Sequence, residues 1–427
     1  MRLAAACCLW ACAAWAQPAP TLQQYNAGLA SALQLIRSQT AGAAQPKILL
    51  SGQHLPGVAS WIDTGSDSCT PDVNCVWNNH AVLNAYTDAL VRFGLGAIDI
   101  NLDVLPLSAA SQYTGSLHSD CPNGWNCRTL AVYDAMIAHA SGAGLQVRLA
   151  PTPTPLLVTA CGLTAASTEA DVERCFKPLY VAAAARWPQI ESLTVLHEIG
   201  SGIWSTSLPN TMSVSDARTF IVNCSAAVKA KQASIRIGAA ADTMFPAGEN
   251  PYYNDWIANA ASSLDFLGVD LYPNTWDVTQ YVPTALALAA TEAAAARRIG
   301  KEVRINETNR PPFVQQNAQP TGSNAILGNN NMEWFNNGLD MQWLNAMVPW
   351  AAANGFSSIS VYATSIFIWY TTDPAADDTQ SPAFMTQLLK HLSESTSTAT
   401  AYHRSGQWWS ASLQANARMT GRARLGN

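Results

Sequence analysis

Short apolar segments alternate with longer amphipathic segments along most of the chain. The apolar segments are continuous runs, not alternating ones, which is typical of parallel strands covered on both faces. The predicted strands are residues 48–54, 95–102, 145–150, 193–198, 235–239, 264–271, 302–307 and 357–362. The predicted helices are residues 21–39, 79–93, 128–140, 214–231, 254–261, 281–299, 333–354 and 382–393. One more helix is predicted between the third and fourth of these; a capping box at 168–171 opens it, and Pro178 interrupts or kinks it.

Each predicted strand is followed by a helix, which gives eight β/α units after one leading helix. This pattern favours an α/β protein with a closed (β/α)8 TIM barrel over an open doubly wound sheet. No G-x-G-x-x-G follows the first strand and no Walker sequence occurs, so the sequence lacks the motifs that would indicate a nucleotide-binding fold. We predict one catalytic barrel over residues 17–394, with long βα loops pinned by disulfides. Residues 395–427 are predicted to be a Ser/Thr-rich linker and a C-terminal tail.

The first residues have the composition of a signal peptide, predicted over residues 1–16. Arg2 is followed by an apolar run over 3–13 and by Ala-Trp-Ala at 14–16, a small-x-small cleavage site. Lipid attachment at Cys12 is the alternative. The apolar run is too short to span a bilayer. The sequence therefore predicts secretion to an extracellular or periplasmic location.

The composition restricts the partners of the protein. Hydrophobic residues make up 48% of the chain, charged residues 12%, and the formal net charge is −6. A charge-poor, mildly acidic chain without a basic cluster argues against nucleic acid or an anionic membrane as a partner. Neutral ligands fit better, and we expect a monomer.

Six cysteines form close pairs in sequence, as local disulfides do in an oxidising compartment. The pairs are Cys69 with Cys75, Cys121 with Cys127, and Cys161 with Cys175. Cys224 lies within a helical pattern and is predicted to be a buried free thiol. Because no cysteine or histidine set has zinc spacing, we predict neither a metal nor a cofactor.

Two predicted strands, the fourth and the seventh, end in a glutamate, Glu198 and Glu307 respectively. In a barrel these ends face each other across the mouth, where active sites lie. Glycoside cleavage needs one protonated and one ionised carboxyl group. A separation of roughly 5–5.5 Å indicates retention and roughly 6.5–9.5 Å inversion. We predict Glu198 as the acid/base and Glu307 as the nucleophile, with Arg304 as an electrostatic neighbour. The alternative is that each glutamate is solvated or caps the following helix.

Other residues suited to sugar binding also fall at or after strand ends. Aromatic side chains stack on sugar rings, so tryptophans in these loops suit a neutral polysaccharide or oligosaccharide. The alternatives are core packing for the aromatic residues and structural hydrogen bonding for the polar ones. The predicted substrate-binding residues are His197, Tyr272, His54, Asp99, Arg148, Trp204, Trp276, Asn309 and Trp369.

Three short motifs resemble those of the clan A glycoside hydrolases. Leu-His-Glu at 196–198 looks like the strand-four motif of the β-mannanase-type branch, and Arg-Ile-Asn-Glu at 304–307 is similar to the strand-seven motif. Gly-Val-Asp-Leu-Tyr-Pro at 268–273 looks like strand six. The resemblance implies a retaining (β/α)8 enzyme with Glu198 as acid/base, Glu307 as nucleophile, and Tyr272 as a hydrogen-bond donor to the nucleophile.

The chain departs from the clan pattern at two places. His197 stands where Asn is the commoner residue, so the contact to the sugar 2-hydroxyl must come from His197 or from elsewhere. The clan also has a tryptophan at strand eight. Here Tyr362 ends the eighth strand, and Trp369 follows only seven residues later.

The sequence thus predicts a secreted retaining glycoside hydrolase that cleaves a β-linked polysaccharide of the mannan, glucan or galactan kind. One alternative is a non-catalytic carbohydrate-binding or cell-surface protein on a degenerate barrel. Another is a barrel hydrolase of a different type, in which the two glutamates lie far apart. A serine hydrolase is unsupported because no G-x-S-x-G elbow occurs.

Overall fold

A computed structural model describes most of the predicted strands and helices. The described residues are 22–41, 48–53, 80–103, 127–152, 161–164, 166–199, 212–242, 250–272, 278–308, 339–362 and 364. For some of these, Glu198 among them, only the backbone is described.

Strands and helices alternate as the hydrophobic pattern predicts. The strands are β1 (Leu49–Gln53), β2 (Ala97–Asp103), β3 (Gln146–Thr152), β4 (Ser192–Ile199), β5 (Arg236–Asp242), β6 (Phe266–Leu271), β7 (Glu302–Thr308) and β8 (Ser358–Val361). The helices are α1 (Leu22–Thr40), α2 (His80–Arg92), α3 (Cys127–Gly142), α4 (Glu169–Arg186), α5 (Val214–Lys231), α6 (Pro251–Asp255), α7 (Val278–Arg298) and α8 (Leu339–Ala353). The helix predicted over 382–393 lies outside the described residues.

The eight strands close into a parallel barrel in sequence order, and β1 pairs with β8 through Leu49 and Ser358. This closure confirms the predicted (β/α)8 fold. Outward-facing strand residues pack under the helices, as Val195 of β4 does beneath Tyr180 of α4, whose hydroxyl donates to the Val195 carbonyl at 3.0 Å. Helix α1 packs on α7 and α8.

Local sequence signals fix where several helices begin and end. Thr168 and Asp171 form the predicted capping box at the start of α4, and Ser213 and Asp216 form another at α5. Gly300, just after the end of α7, has a φ of 74°, which only glycine adopts without strain.

Two helices differ from the prediction. Pro178 lies within α4 without ending it, because the helix buries Phe176 and Leu179 on either side and loses only one backbone hydrogen bond at the proline. The helix predicted over 254–261 begins earlier, since Asn250 caps α6 and Pro251 takes its first position. It then continues as a π-helix, Trp256–Ala260.

The cysteine predictions are tested at two places. Cys161 and Cys175 form a disulfide with a Cα–Cα distance of 5.8 Å, as predicted. Cys224 is a buried free thiol, also as predicted. The side chains of the other two predicted pairs lie outside the described part of the chain.

A network of ion pairs fills the amino-terminal end of the barrel. The guanidinium of Arg304 donates to Glu302 at 2.7 Å and to Glu191 at 2.9 Å, and it lies over the Phe266 ring. Burial acts to raise the pKa of Glu302, but Arg304 and Arg236 lower it to about 2. This network anchors the base of the barrel.

Two sequence predictions fail because of this network. Arg304 was expected beside Glu307, but it lies three residues earlier on the same strand, roughly 10 Å along it. Arg148 was expected to bind substrate, but its guanidinium donates to Ser358 at 2.9 Å and lies 3.6 Å from Glu191. Both arginines therefore lie at the amino-terminal end of the barrel, away from the carboxyl ends of the strands.

Among the described helices, none combines the length and the apolar character needed to cross a bilayer.

Candidate active site

Glu307 is the carboxylate at the end of β7, and its side chain is buried with a relative exposure of 4%. The Tyr272 hydroxyl donates to one of its oxygens, Oε2, and the Gln53 amide nitrogen donates to the other, Oε1. Two donors from β1 and from the end of β6 thus hold the carboxylate in one orientation. Hydrogen bonds of this kind favour its ionised form.

His197 reaches Glu307 from across the barrel. Its Nε2 lies 3.5 Å from Glu307 Oε1 and 3.4 Å from Asp270 Oδ2. Because the three side chains come from β4, β6 and β7, the carboxyl ends of these strands converge on one point. His197 is the residue before Glu198, whose backbone belongs to β4.

Irregular strand registers accompany this convergence. Between Ile305 and Thr308, β7 has one residue more than the facing part of β8, and β4 has extra residues against β5 between Thr194 and Ile199. Such bulges re-aim side chains next to active sites. The β7 bulge also needs Gly268, because a Cβ there would lie 2.4 Å from the Asn306 amide.

Asp270 is a further site residue, and it is absent from the predicted set of substrate-binding residues. Its side chain has a relative exposure of 1% and faces the same imidazole nitrogen as Glu307. The sequence does contain a signal for this position. Phe266, Gly268 and Asp270 are two residues apart along β6, so they share one face of the strand, and Asp270 is the one nearest its carboxyl end.

Aromatic packing supports the donor to Glu307. The rings of Tyr272 and Tyr362 meet edge to face, with centroids 6.3 Å apart. Tyr362, which directly follows β8, therefore packs against the Tyr272 ring.

The structure brings together only part of the predicted site. Glu307, His197 and Tyr272 meet, whereas Asp99 lies in the barrel interior and accepts a hydrogen bond from Ser360 at 2.7 Å. The side chain of Glu198 lies outside the described residues, so its distance to Glu307 stays a prediction. The remaining predicted ligands lie outside the described residues as well: His54, Trp204, Trp276, Asn309 and Trp369.

The same three buried side chains form the donor set that a metal ion would use. Ligand atoms of His197, Asp270 and Glu307 lie within 4.8 Å of one another. An imidazole with two carboxylates suits Zn²⁺ or another divalent transition metal. Both Glu307 oxygens also accept hydrogen bonds, from Tyr272 and from Gln53.

Comparisons with known proteins identify the fold. No protein-family model and no curated protein sequence matches the chain. The solved structure of the endo-β-1,4-mannanase from Thermotoga petrophila is similar, with a TM-score of 0.50 and 11% identity over 90% of this chain and 79% of that chain.

Two further solved structures are similar over comparable lengths. The exo-β-1,4-mannosidase from Opitutaceae bacterium strain TAV5 has a TM-score of 0.47 at 11% identity, covering 90% of this chain and 62% of that chain. The endo-1,4-β-mannanase from Rhizomucor miehei has a TM-score of 0.46 at 15% identity, covering 83% and 96%. The predicted resemblance to (β/α)8 glycoside hydrolases is confirmed at the level of the fold.

Proposed function

We propose that the protein is a retaining glycoside hydrolase that cleaves a β-linked polysaccharide by double displacement. One observation carries the proposal. Glu307 is buried at the carboxyl end of β7, and donors from two other strands hold each of its oxygens. A strand-end glutamate that merely capped a helix or faced solvent would not be enclosed in this way.

Glu307 acts as the nucleophile in this mechanism. The hydroxyl of Tyr272 and the amide of Gln53 hold the carboxylate by hydrogen bonds, which favour the charged form of such a group. The carboxylate attacks the anomeric carbon as the glycosidic bond breaks, forming a glycosyl ester with inverted configuration.

Glu198 acts as the general acid/base. It follows His197 directly, and His197 reaches Glu307 across the barrel, so the backbone of Glu198 belongs to the part of β4 that converges on the nucleophile. Its proton passes to the leaving oxygen in the first step. In the second step it takes a proton from water, which attacks the anomeric carbon and releases Glu307, restoring the original configuration.

The substrate class follows from the composition and the predicted loops. A charge-poor chain with tryptophans after its strands suits a neutral polysaccharide of the mannan, glucan or galactan kind. Mannan heads the series to be tested because the Thermotoga petrophila structure is named as an endo-β-1,4-mannanase. The predicted sugar contacts are His197, His54, Asn309 and the loop tryptophans Trp204, Trp276 and Trp369. We also propose that the protein is secreted and acts as a monomer.

The test is release of reducing ends from mannan, xylan, β-glucan and galactan, compared between the wild type and Glu307→Ala. We expect activity on at least one polymer, a loss of several orders of magnitude in the variant at unchanged circular dichroism, and rescue by azide that yields an inverted glycosyl azide. Proton NMR of the first product should show the substrate's configuration. Binding of polysaccharide without any release of reducing ends would favour the non-catalytic alternative.

A further inference from the structure

Asp270 is a buried carboxylate next to the proposed nucleophile that the double-displacement mechanism does not use. Its Oδ2 lies 3.4 Å from His197 Nε2, and the same nitrogen lies 3.5 Å from Glu307 Oε1. Two ionisable carboxyl groups therefore face a single ring nitrogen in a buried space.

The geometry fixes the hydrogen on that nitrogen. A bare lone pair at Nε2 would be repelled by both carboxylates, so Nε2 carries the hydrogen. Both separations exceed the 2.7–3.2 Å of a well-formed N–H···O bond. The N–H thus faces an oxygen of Asp270 and an oxygen of Glu307 at nearly equal distances.

The reaction changes the balance between these two acceptors. In the free enzyme, both carboxylates draw on the one N–H and repel each other, since their oxygens lie within 4.8 Å. Once Glu307 has become an ester, it carries no charge, and Asp270 receives the full hydrogen bond. Formation of the ester therefore relieves the repulsion that Asp270 exerts on Glu307.

We propose that Asp270 is a positioning residue that promotes the glycosylation step through His197, by taking over the Nε2–H bond as Glu307 loses its charge. The inference rests on the proposed function. No proton leaves the imidazole. The bond from C1 to Glu307 forms while the glycosidic bond breaks, the leaving oxygen takes its proton from Glu198, and only the direction of the His197 hydrogen bond changes.

The two steps can be separated with a 2,4-dinitrophenyl glycoside of the sugar that the enzyme releases from its polymer. The burst of dinitrophenolate measures glycosylation and the steady rate measures deglycosylation. For Asp270→Asn we expect the burst rate constant to fall about 100-fold and the steady deglycosylation constant about threefold or less. Asp270→Glu, which keeps the charge, should recover part of the burst.

The matched control is Glu292→Gln, the same change of a buried carboxyl group to an amide. Glu292 lies on α7 with a relative exposure of 3%, outside the barrel interior. This variant should keep the wild-type burst. A burst rate constant for Asp270→Asn within about threefold of wild type, or an equal fall in both steps, would overturn the proposal.

A measurement on the wild type covers the case in which Asp270→Asn does not fold. With ¹⁵N-labelled histidine, the Nε2–H resonance of His197 should persist and shift when a 2-deoxy-2-fluoro glycosyl fluoride traps the ester. Its loss to solvent exchange in the trapped enzyme would contradict the proposal.

These results separate the inference from the function on which it rests. If the wild type and Glu307→Ala release aglycone equally, the proposed function fails, and the role of Asp270 fails with it. If Glu307→Ala is inactive but Asp270→Asn keeps its burst, only the inference fails.

Discussion

His197 and Glu307 lie within 3.5 Å of each other although they come from β4 and β7, on opposite sides of the barrel. The contact brings the two strands that carry the predicted catalytic glutamates to one point at the mouth. It also places an imidazole nitrogen against the carboxylate that Tyr272 and Gln53 already hold. The orientation of the Glu307 carboxylate therefore depends on residues of several strands, and each contribution can be tested separately.

Replacing Tyr272 by Phe removes the hydroxyl that donates to Glu307 but keeps the ring that packs on Tyr362. We expect kcat to fall about 100-fold, because one directed donor to a reacting group contributes on this scale. The matched control is Tyr180→Phe, which loses a 3.0 Å hydrogen bond to the Val195 carbonyl in the helix layer. It should reduce stability by about 1 kcal/mol and leave kcat near wild type. Equal kcat values for the two variants would contradict the role of Tyr272.

Replacing Glu302 by Gln should weaken the base of the barrel in a pH-dependent way. The pKa of Glu302 is lowered from 4.5 to about 2 when folded, so its stabilisation is present above pH 4.5 and is lost as the pH falls toward 2. At pH 7 we expect the free energy of unfolding to drop by about 3 kcal/mol. Urea unfolding at pH 7 and at pH 3 measures the change. A difference from wild type that is the same at both pH values would show that the ion pairs do not cause it.

Replacing Glu292 by Gln should have the opposite pH dependence. Burial raises the pKa of Glu292 from 4.5 to about 8, and neither of its oxygens has a hydrogen-bond partner within the described ranges. The neutral form is favoured in the folded state, so wild-type stability is lost as the pH rises from 4.5 through 8. The variant should match wild type near pH 4.5 and exceed it by about 5 kcal/mol at pH 9. Thermal unfolding of both proteins between pH 4.5 and pH 9 measures the difference. A variant that is no more stable than wild type at pH 9 would show that burial does not raise the pKa of Glu292.

Removing metal ions should not change turnover. His197 lies against Asp270 and Glu307, and Tyr272 and Gln53 donate to Glu307, so the proposed mechanism requires no metal ion. Dialysis against a chelator, followed by the reducing-end assay, should leave the rate unchanged. Loss of activity that Zn²⁺ or Mn²⁺ restores would make these three residues a metal centre instead.

The strand ends could be predicted from the sequence because parallel strands finish at one face of a barrel. That rule correctly places Glu307, His197 and Tyr272 together. It was misapplied to Arg148, which lies four residues before the end of β3, roughly 13 Å from the mouth. Position along the strand, more than membership in it, decides which end of the barrel a side chain serves.

Asp270 was missed for a different reason. It lies in the apolar run of β6, and a single acidic residue in such a run does not by itself indicate a functional site. Its contact with His197 depends on the strand registers, and the extra residues in β4 and β7 shift those registers in a way that periodicity does not reveal. The loop tryptophans and His54 lie outside the described residues, so their role stays a prediction.

In the proposed mechanism Glu307 forms a covalent bond to the sugar, and this bond can be trapped. Incubation with a 2-deoxy-2-fluoro glycosyl fluoride, followed by proteolysis and mass spectrometry, should show one glycosylated peptide with the modification on Glu307. A modification on any other carboxylate, or time-dependent turnover of a good substrate with no trapped ester at all, would contradict the account.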